Sequence, residues 1–371
     1  MFKRIVVKFG TSLLTGGKDQ LDSAMMKKLV ADLSTSHEQG KEITVVSSGA
    51  VACGRSRLGL PKKMKGIPYK QVLSSVGQTY LMYSYQQLFD EKGISIAQAL
   101  LTRSDLTDRA GYINARNTLL ALIELGVICI VNENDVVATE EIEGARFGDN
   151  DNLSAMVANL IDADLLVILS DIAGLYTADP GVDKTATLIP EVRQIDSRIF
   201  GLAGGSRSGL GTGGMYTKLQ AAKMATACGV AVVIARGSEA DVITRLANGE
   251  SIGTRFLPTA DKLESRARWM LAGLCVKGKL IIDDGALSAL KKDKSSLLGA
   301  GIESVEGDFE RGDLVDIFDS RGNRWGSGIS NYNSREVDAV KKMHSRKIVS
   351  LLGHDYGAEI IHRNNLVMMS G

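Results

Sequence analysis

The sequence predicts an α/β protein: a mainly parallel sheet sandwiched between helices, followed by a small β-rich domain. Three observations carry this expectation. From residue 4 to about 257, short apolar runs alternate with longer helical patterns. Most of the short runs are apolar at consecutive positions, as strands covered on both faces are. Beyond Phe256 the pattern changes to short segments broken by Gly and Asp turns, which reads as a separate β-rich fold of ~80 residues.

Taken in order, strands are expected over 4–9, 43–46, 94–101, 127–131, 165–169 and 230–235. Helices are expected over 22–37, 70–91, 113–125, 152–161 and 216–228. Several of them run to a glycine (Gly40, Gly93, Gly126, Gly229), the residue that most readily adopts the left-handed turn ending a helix. An alternation of this kind builds a parallel sheet through helical crossovers. The expected division is a first domain over 1–258, a linker over 259–278 that includes a helical stretch at 262–270, and a second domain with its tail over 279–371. Strand-like segments of the second domain are 279–285, 312–318 and 323–329.

Composition bounds the function. A chain of 371 residues, 44% hydrophobic and 23% charged, has ample core for two domains. Its formal charge of +1 gives no reason to expect a polyanionic partner or an anionic membrane surface. Residues 259–371 carry 17 Lys and Arg against 16 Asp and Glu, so strong RNA binding by that part is not expected. The four cysteines (53, 129, 228, 275) are scattered and form no CxxC pair, the pattern of reduced thiols in a cytoplasmic protein. No signal-like or membrane-length apolar run is present, so a soluble protein is expected.

Parallel sheets bind ligands beyond the carboxyl ends of their strands. Here those ends carry Lys8-Phe-Gly-Thr-Ser12, Ser47-Ser-Gly-Ala50, Asn132-Glu-Asn-Asp135 and Ser170-Asp171. One such cluster is ordinary turn chemistry. Four at one edge indicate a shared site. A further loop, Gly148-Asp-Asn-Asp-Asn152, opens a helix, where Asp149 or Asp151 would cap the helix, orient lysines or approach Mg²⁺ through water. The four histidines (37, 344, 354, 362) lie away from these ends.

The stretch Ser208-Gly-Leu-Gly-Thr-Gly-Gly-Met-Tyr-Thr-Lys218 runs into an Ala-rich helix, and a glycine loop before a helix N-terminus suits phosphate. It is not a Walker A loop, because Met215 stands where the lysine is required. Gly209-x-Gly211-x-x-Gly214 matches the dinucleotide fingerprint in letters only, since the preceding 198–207 reads as loop and not as strand. Lys8 and Lys218, each beside a glycine-rich turn, are placed to converge on a phosphoryl group.

Six motifs in order resemble the amino acid kinase family, in the branch whose acceptor is glutamate: Lys8-Phe-Gly-Thr-Ser12, Val46-Ser-Ser-Gly-Ala50, Asn132-Glu-Asn-Asp135, Gly148-Asp-Asn-Asp-Asn-Leu153, Gly174-Leu-Tyr-Thr-Ala-Asp-Pro180 and Gly209-Leu-Gly-Thr-Gly-Gly-Met215. Gly307-x-Phe309-x-Arg-Gly-Asp313 and Gly328-Ile-Ser-Asn-Tyr-Asn333 resemble the PUA domain that bacterial members often carry. The resemblance implies transfer of the γ-phosphate of ATP to the side-chain carboxylate of L-glutamate, the first step of proline synthesis. It implies that Lys8 and Lys218 stabilise the moving group and that Asp151 holds them. Ser48, Asn132, Asp135 and Asn150 would bind glutamate, with Asp135 facing its ammonium. Lys8, Ser170, Asp171, Thr212, Gly213, Gly214, Met215, Tyr216, Thr217 and Lys218 would bind ATP. No direct metal ligand is assigned; Mg²⁺ would be held through water and ATP, near Asp149 or Asp151. Proline as feedback inhibitor and a homo-oligomer, dimer or tetramer, are also implied. The family usually has Thr-Asp where Ser170-Asp171 stands, a change that keeps the hydroxyl, and 142–147 receives no role. Two rivals stand beside this reading. A sibling kinase would share the lysines but lack the Asn132, Asp135 and Asn150 set. An RNA-binding or RNA-modifying PUA protein would need a basic surface that the near-neutral charge count disfavours.

Overall fold

The computed structural model describes residues 1–60, 66–138, 150–203, 214–259, 276–292, 295–354 and 356–368. The chain divides into two compact units, one of Met1–Thr107 with Asn114–Lys262 and one of Asp108–Ile113 with Leu263–Gly371.

The first unit is built on eight strands: β1 (Arg4–Phe9), β2 (Glu42–Ser47), β3 (Ile96–Leu101), β4 (Ile128–Glu133), β5 (Leu165–Ser170), β6 (Glu191–Val192), β7 (Ala231–Arg236) and β8 (Thr254–Phe256). Their order is β3-β4-β2-β1-β5-β7-β8-β6. Every pairing from β3 across to β7 is parallel, and β8 runs antiparallel to β7. The consecutive apolar residues of β1, β2, β4, β5 and β7 are buried along nearly their whole length, the condition that made them legible as strands. β6 and β8, two and three residues long, leave too little pattern to be read.

Ten helices are described in or entering this unit: α1 (Thr11–Thr15), α2 (Ser23–Glu38), α3 (Ala50–Leu58), α4 (Ile67–Asp90), α5 (Arg103–Thr107), α6 (Arg109–Glu124), α7 (Asn150–Leu160), α8 (Ser197–Leu202), α9 (Met215–Ala227) and α10 (Val242–Ala247). Gly40, Gly93, Gly126 and Gly229 all have positive φ, between 66° and 82°, so each ends its helix as expected. One reading is corrected. The stretch before Gly209 is not all loop: residues 197–202 form α8, started by the Asp196 side chain, which accepts from the Ile199 N–H at 3.0 Å.

Strand parity decides which side chains reach which layer. Ile5, Val7 and Phe9 of β1 join Leu165, Val167 and Leu169 of β5 in a core closed by Leu29 and Leu33 of α2 and Leu81 and Tyr85 of α4. Val6 and Lys8 point the other way, to the face where α7 lies across β1, β2, β4 and β5 and where α9 packs on α7 and β7. A lysine within the apolar run of β1 therefore emerges under two helix N-termini.

Helix α3 is absent from the sequence reading because its short, Arg-rich pattern carries no helical apolar stripe. Its reason is tertiary. A Cβ at Gly54 would lie 1.8 Å from the Leu73 carbonyl oxygen, and one at Gly77 would lie 1.7 Å from that of Ala50. The α3 and α4 backbones thus touch through a glycine on each. Gly77→Ala adds helix propensity worth ~1 kcal/mol, yet the clash is expected to outweigh it and destabilise the protein by ~1–3 kcal/mol. Urea unfolding checks this; a stabilised Gly77→Ala protein would disprove the close contact.

The second unit contains β9 (Gly278–Ile282), α11 (Asp284–Lys292), β10 (Leu297–Leu298), β11 (Ile302–Gly307), β12 (Leu314–Asp319), β13 (Arg324–Ile329), α12 (Ser334–Val340), α13 (Ile348–Leu352), β14 (Glu359–Ile361) and β15 (Leu366–Met368). Five strands form a sheet in the order β11-β9-β12-β13-β15, and β10 pairs with β14. Its own core includes Leu280, Phe309, Ile317, Tyr332 and Val337. The β12–β13 turn is tied by Asp319, which accepts from the N–H groups of Arg321 and Asn323 and from the Trp325 indole at 2.9 Å. A capping box between Asn333 and Glu336 starts α12. The helix expected at 262–270 lies outside the described residues. Among the described residues no helix is long and apolar enough to cross a membrane.

Candidate active site

Two consecutive residues opening α7, Asn150 and Asp151, hold two sets of side chains together. Neighbours on a helix point about 100° apart, so each serves a different set.

Asp151 is 0% exposed. Lys8 Nζ, arriving from the end of β1, lies 2.5 Å from its Oδ1. Lys218 Nζ, from the first turns of α9, lies 3.2 Å from its Oδ2, and the Thr217 hydroxyl donates to the same oxygen at 2.9 Å. The two lysines are themselves 3% and 6% exposed. Burial alone would raise the Asp151 pKa; the charges of Lys8 and Lys218 outweigh it and hold the carboxyl below its ordinary range. A carboxylate so weakly basic, with cations on both oxygens, is suited to orienting the lysines and not to taking a proton or a metal. Among the described residues no group of three or more His, Cys, Asp or Glu converges on a metal position.

Asn150 Nδ2 lies 2.9 Å from Ser48 Oγ and 3.0 Å from Asn132 Oδ1. Ser48 is fixed beyond β2 by its N–H, which donates to the Phe9 carbonyl at 3.1 Å. Gly49 then turns the chain into α3 at φ 108°, a value an L side chain resists. Asp135, two residues past β4, is drawn to α4 instead. Ser74 Oγ donates to its Oδ2 at 2.5 Å, and Lys70 Nζ stands 3.4 Å from its Oδ1. Gln78, also of α4, accepts from Asn132 Nδ2 at 2.9 Å.

Lys70, Ser74 and Gln78 are therefore site neighbours that the sequence reading does not single out. Their signal is a polar residue every fourth position along one face of a 24-residue helix. Without the α3 contact nothing in the sequence says which face of α4 turns to β4.

On the other side, Ser170 ends β5, which pairs with β1 so that Leu169 lies opposite Phe9. Ser170 Oγ donates to the exposed Asp171 carboxylate at 2.9 Å. β1 continues to β2 on one flank, while β5 continues to β7 on the other, a topological switch point where open α/β sheets bind ligands. Gly214 caps α9, Met215 opens it, and Tyr216 packs its ring 5.3 Å from that of Phe200. Asp149, Thr212 and Gly213 lie outside the described residues. Burial pushes the Cys53 thiol up to about 11 and that of Cys129 to about 12, so neither is a nucleophile at neutral pH.

The amino acid kinase family model matches residues 3–236, and the PUA domain model matches residues 278–352. The chain is 55% identical to glutamate 5-kinase of Dehalococcoides mccartyi (strain CBDB1), over 99% of each chain. It is 50% identical to glutamate 5-kinase of Herpetosiphon aurantiacus over 98% of each, and 48% identical to that of Shewanella amazonensis over 99% of this chain and 96% of the other. A solved UMP kinase from Bacillus anthracis is similar at 14% identity, over 70% of this chain and 97% of that one, with a TM-score of 0.47.

Proposed function

The chain belongs to the amino acid kinase family, and from that premise we propose that it transfers the γ-phosphoryl group of ATP to the side-chain carboxylate of L-glutamate, giving L-glutamyl 5-phosphate and ADP. The observation that carries this reading is the convergence of Lys8 and Lys218 on one buried carboxylate beside a hydroxyl and amide cluster. In phosphoryl transfer the charge spreads over the oxygens of the moving group, and the protein's task is to place fixed positive charge there. Lys8 from the sheet and Lys218 from α9 supply that charge, and Asp151 keeps both ammonium groups in place. Ser48, Asn132 and Asn150 offer neutral donors and acceptors to glutamate, and Asp135 offers its ammonium a carboxylate. Ser170, Asp171 and the segment from Thr212 to Lys218 take the nucleotide. A divalent metal, Mg²⁺ on this reading, would be held through water and ATP near Asp149 or Asp151, and would supply positive charge to the phosphates.

The same reading makes the reaction the first step of proline synthesis in the cytoplasm, with proline as feedback inhibitor and a dimer or tetramer as the working form. It assigns the chemistry to residues 1–258, because every group named lies between Lys8 and Lys218. A chain ending near Pro258 is expected to keep releasing ADP; a folded but inactive truncation would overturn that division. The reaction itself is tested by ADP release with L-glutamate, N-acetylglutamate, L-aspartate and UMP as acceptors. Glutamate alone is expected to support turnover. Release with another acceptor, and none with glutamate, would make the chain a sibling kinase.

A further inference from the structure

The amide groups around Asn132 have orientations that the hydrogen-bond network decides. The Glu133 backbone N–H can only donate, and it donates to Asn132 Oδ1 at 2.9 Å. The other end of that side chain is therefore Nδ2, which donates to Gln78 at 2.9 Å, so Gln78 must present Oε1 to it. Asn150 is fixed in the same way. Its Nδ2 faces Asn132 Oδ1 at 3.0 Å and the Ser47 carbonyl at 3.4 Å, and both of these can only accept.

Two atoms remain once this chain is assigned. Gln78 Nε2, a donor, and Asn150 Oδ1, an acceptor, are shielded from solvent and have no partner among the described residues. Buried polar atoms without partners are few in folded proteins, and each asks for a reason. Here the two have opposite sense, and each belongs to a side chain bonded directly to Asn132. An amino acid presents the complementary pair, a carboxylate and an ammonium.

We propose that Gln78 is an acceptor-binding residue: its Nε2 donates to a carboxylate oxygen of the amino acid substrate, while Asn150 Oδ1 accepts from the ammonium. This rests on the reaction proposed above and adds to it a specificity group carried by α4. The Gly54 and Gly77 contact fixes that group in place, because Gln78 directly follows the glycine that touches α3. A ligand lacking the carboxylate leaves Gln78 Nε2 unpaired, and the site discriminates against it.

Two variants test this. Gln78→Glu keeps the length of the side chain and the oxygen to which Asn132 donates, but sets a carboxylate against the substrate carboxylate. Gln78→Met keeps the volume and removes the donor. The KM for L-glutamate is expected to rise ~10–100-fold in Gln78→Met, the loss of one hydrogen bond to a charged group, and further in Gln78→Glu. The KM for ATP should stay within about threefold of wild type, with the effect falling on KM more than on kcat. A merely structural role would spare Gln78→Glu, which retains the Asn132 bond, so an unchanged glutamate KM in that variant overturns the inference. Equal rises in the KM of ATP and glutamate overturn it too. Should Gln78→Met melt far below wild type, Gln78→Glu decides alone. Wild-type protein that releases no ADP with glutamate would instead overturn the underlying reaction.

Discussion

Lys218→Met is expected to lower kcat for glutamate-dependent ADP release by ~10²–10³, the usual cost of removing one preorganised electrostatic donor. Methionine matches the length of the lysine stem, so the packing of α9 on α7 survives and the circular dichroism spectrum should not change. The residue lies in the first turns of α9 and its ammonium is held 3.2 Å from Asp151. In the proposed reaction it would meet the nucleotide already oriented, and the loss should fall on kcat while the KM values move little. Lys8→Met is expected to behave alike, since its ammonium sits on the other oxygen of the same carboxylate. Wild-type turnover in Lys218→Met would remove the proposed phosphoryl site.

Asp151→Asn is expected to act on stability as well as on rate. It keeps the shape but removes the negative charge between two nearly buried ammonium groups, and breaking a buried ion pair from one side costs ~3–5 kcal/mol. Urea unfolding would read the difference between wild type and variant. Its pH dependence follows from the direction of the shift. The folded carboxyl titrates below its ordinary value of 3.8, so its stabilisation is fully present above that value and is lost as pH falls through the lower, folded pKa. The gap between the two proteins should therefore be flat from about pH 5 upward and narrow only in acid. A gap that closes near neutral pH would show that Asp151 is not the charged partner of the lysines. A gap below ~1 kcal/mol at pH 7 would place the triad in the class of weak, solvent-screened pairs.

The kinase-type sheet was open to reading because a strand covered on both faces is apolar at consecutive positions, and β1, β2, β4, β5 and β7 each carry such a run. Long helices that stop at glycine were open to reading for a similarly local reason: α2, α4, α6 and α9 are each followed by a glycine of positive φ. The polar clusters at strand ends marked the site edge, because parallel topology puts those ends side by side whatever the details of packing.

The rest depends on which faces meet. Lys8 and Lys218 are 210 positions apart, and only the packing of α7 across the sheet and of α9 beside α7 brings both to Asp151. Asp135 lies two residues past β4, and only the packing of α4 sets Ser74 and Lys70 against its carboxylate. Gln78 belongs to no motif and gains its place from two glycines that let α3 and α4 touch. Asp32 shows the same limit away from the site. In sequence it is a mid-helix acid of α2, yet in the fold its carboxylate accepts from the N–H groups of Ile243 at 2.7 Å and Thr244 at 3.0 Å, capping α10. Periodicity and glycine stops are set by neighbours along the chain, so the sequence by itself determined the α/β class, the order of the elements and the edge that carries chemistry. A partner hundreds of residues away satisfies a carboxylate or an amide only once backbone packing has chosen its face, and that choice was made by the tertiary structure alone.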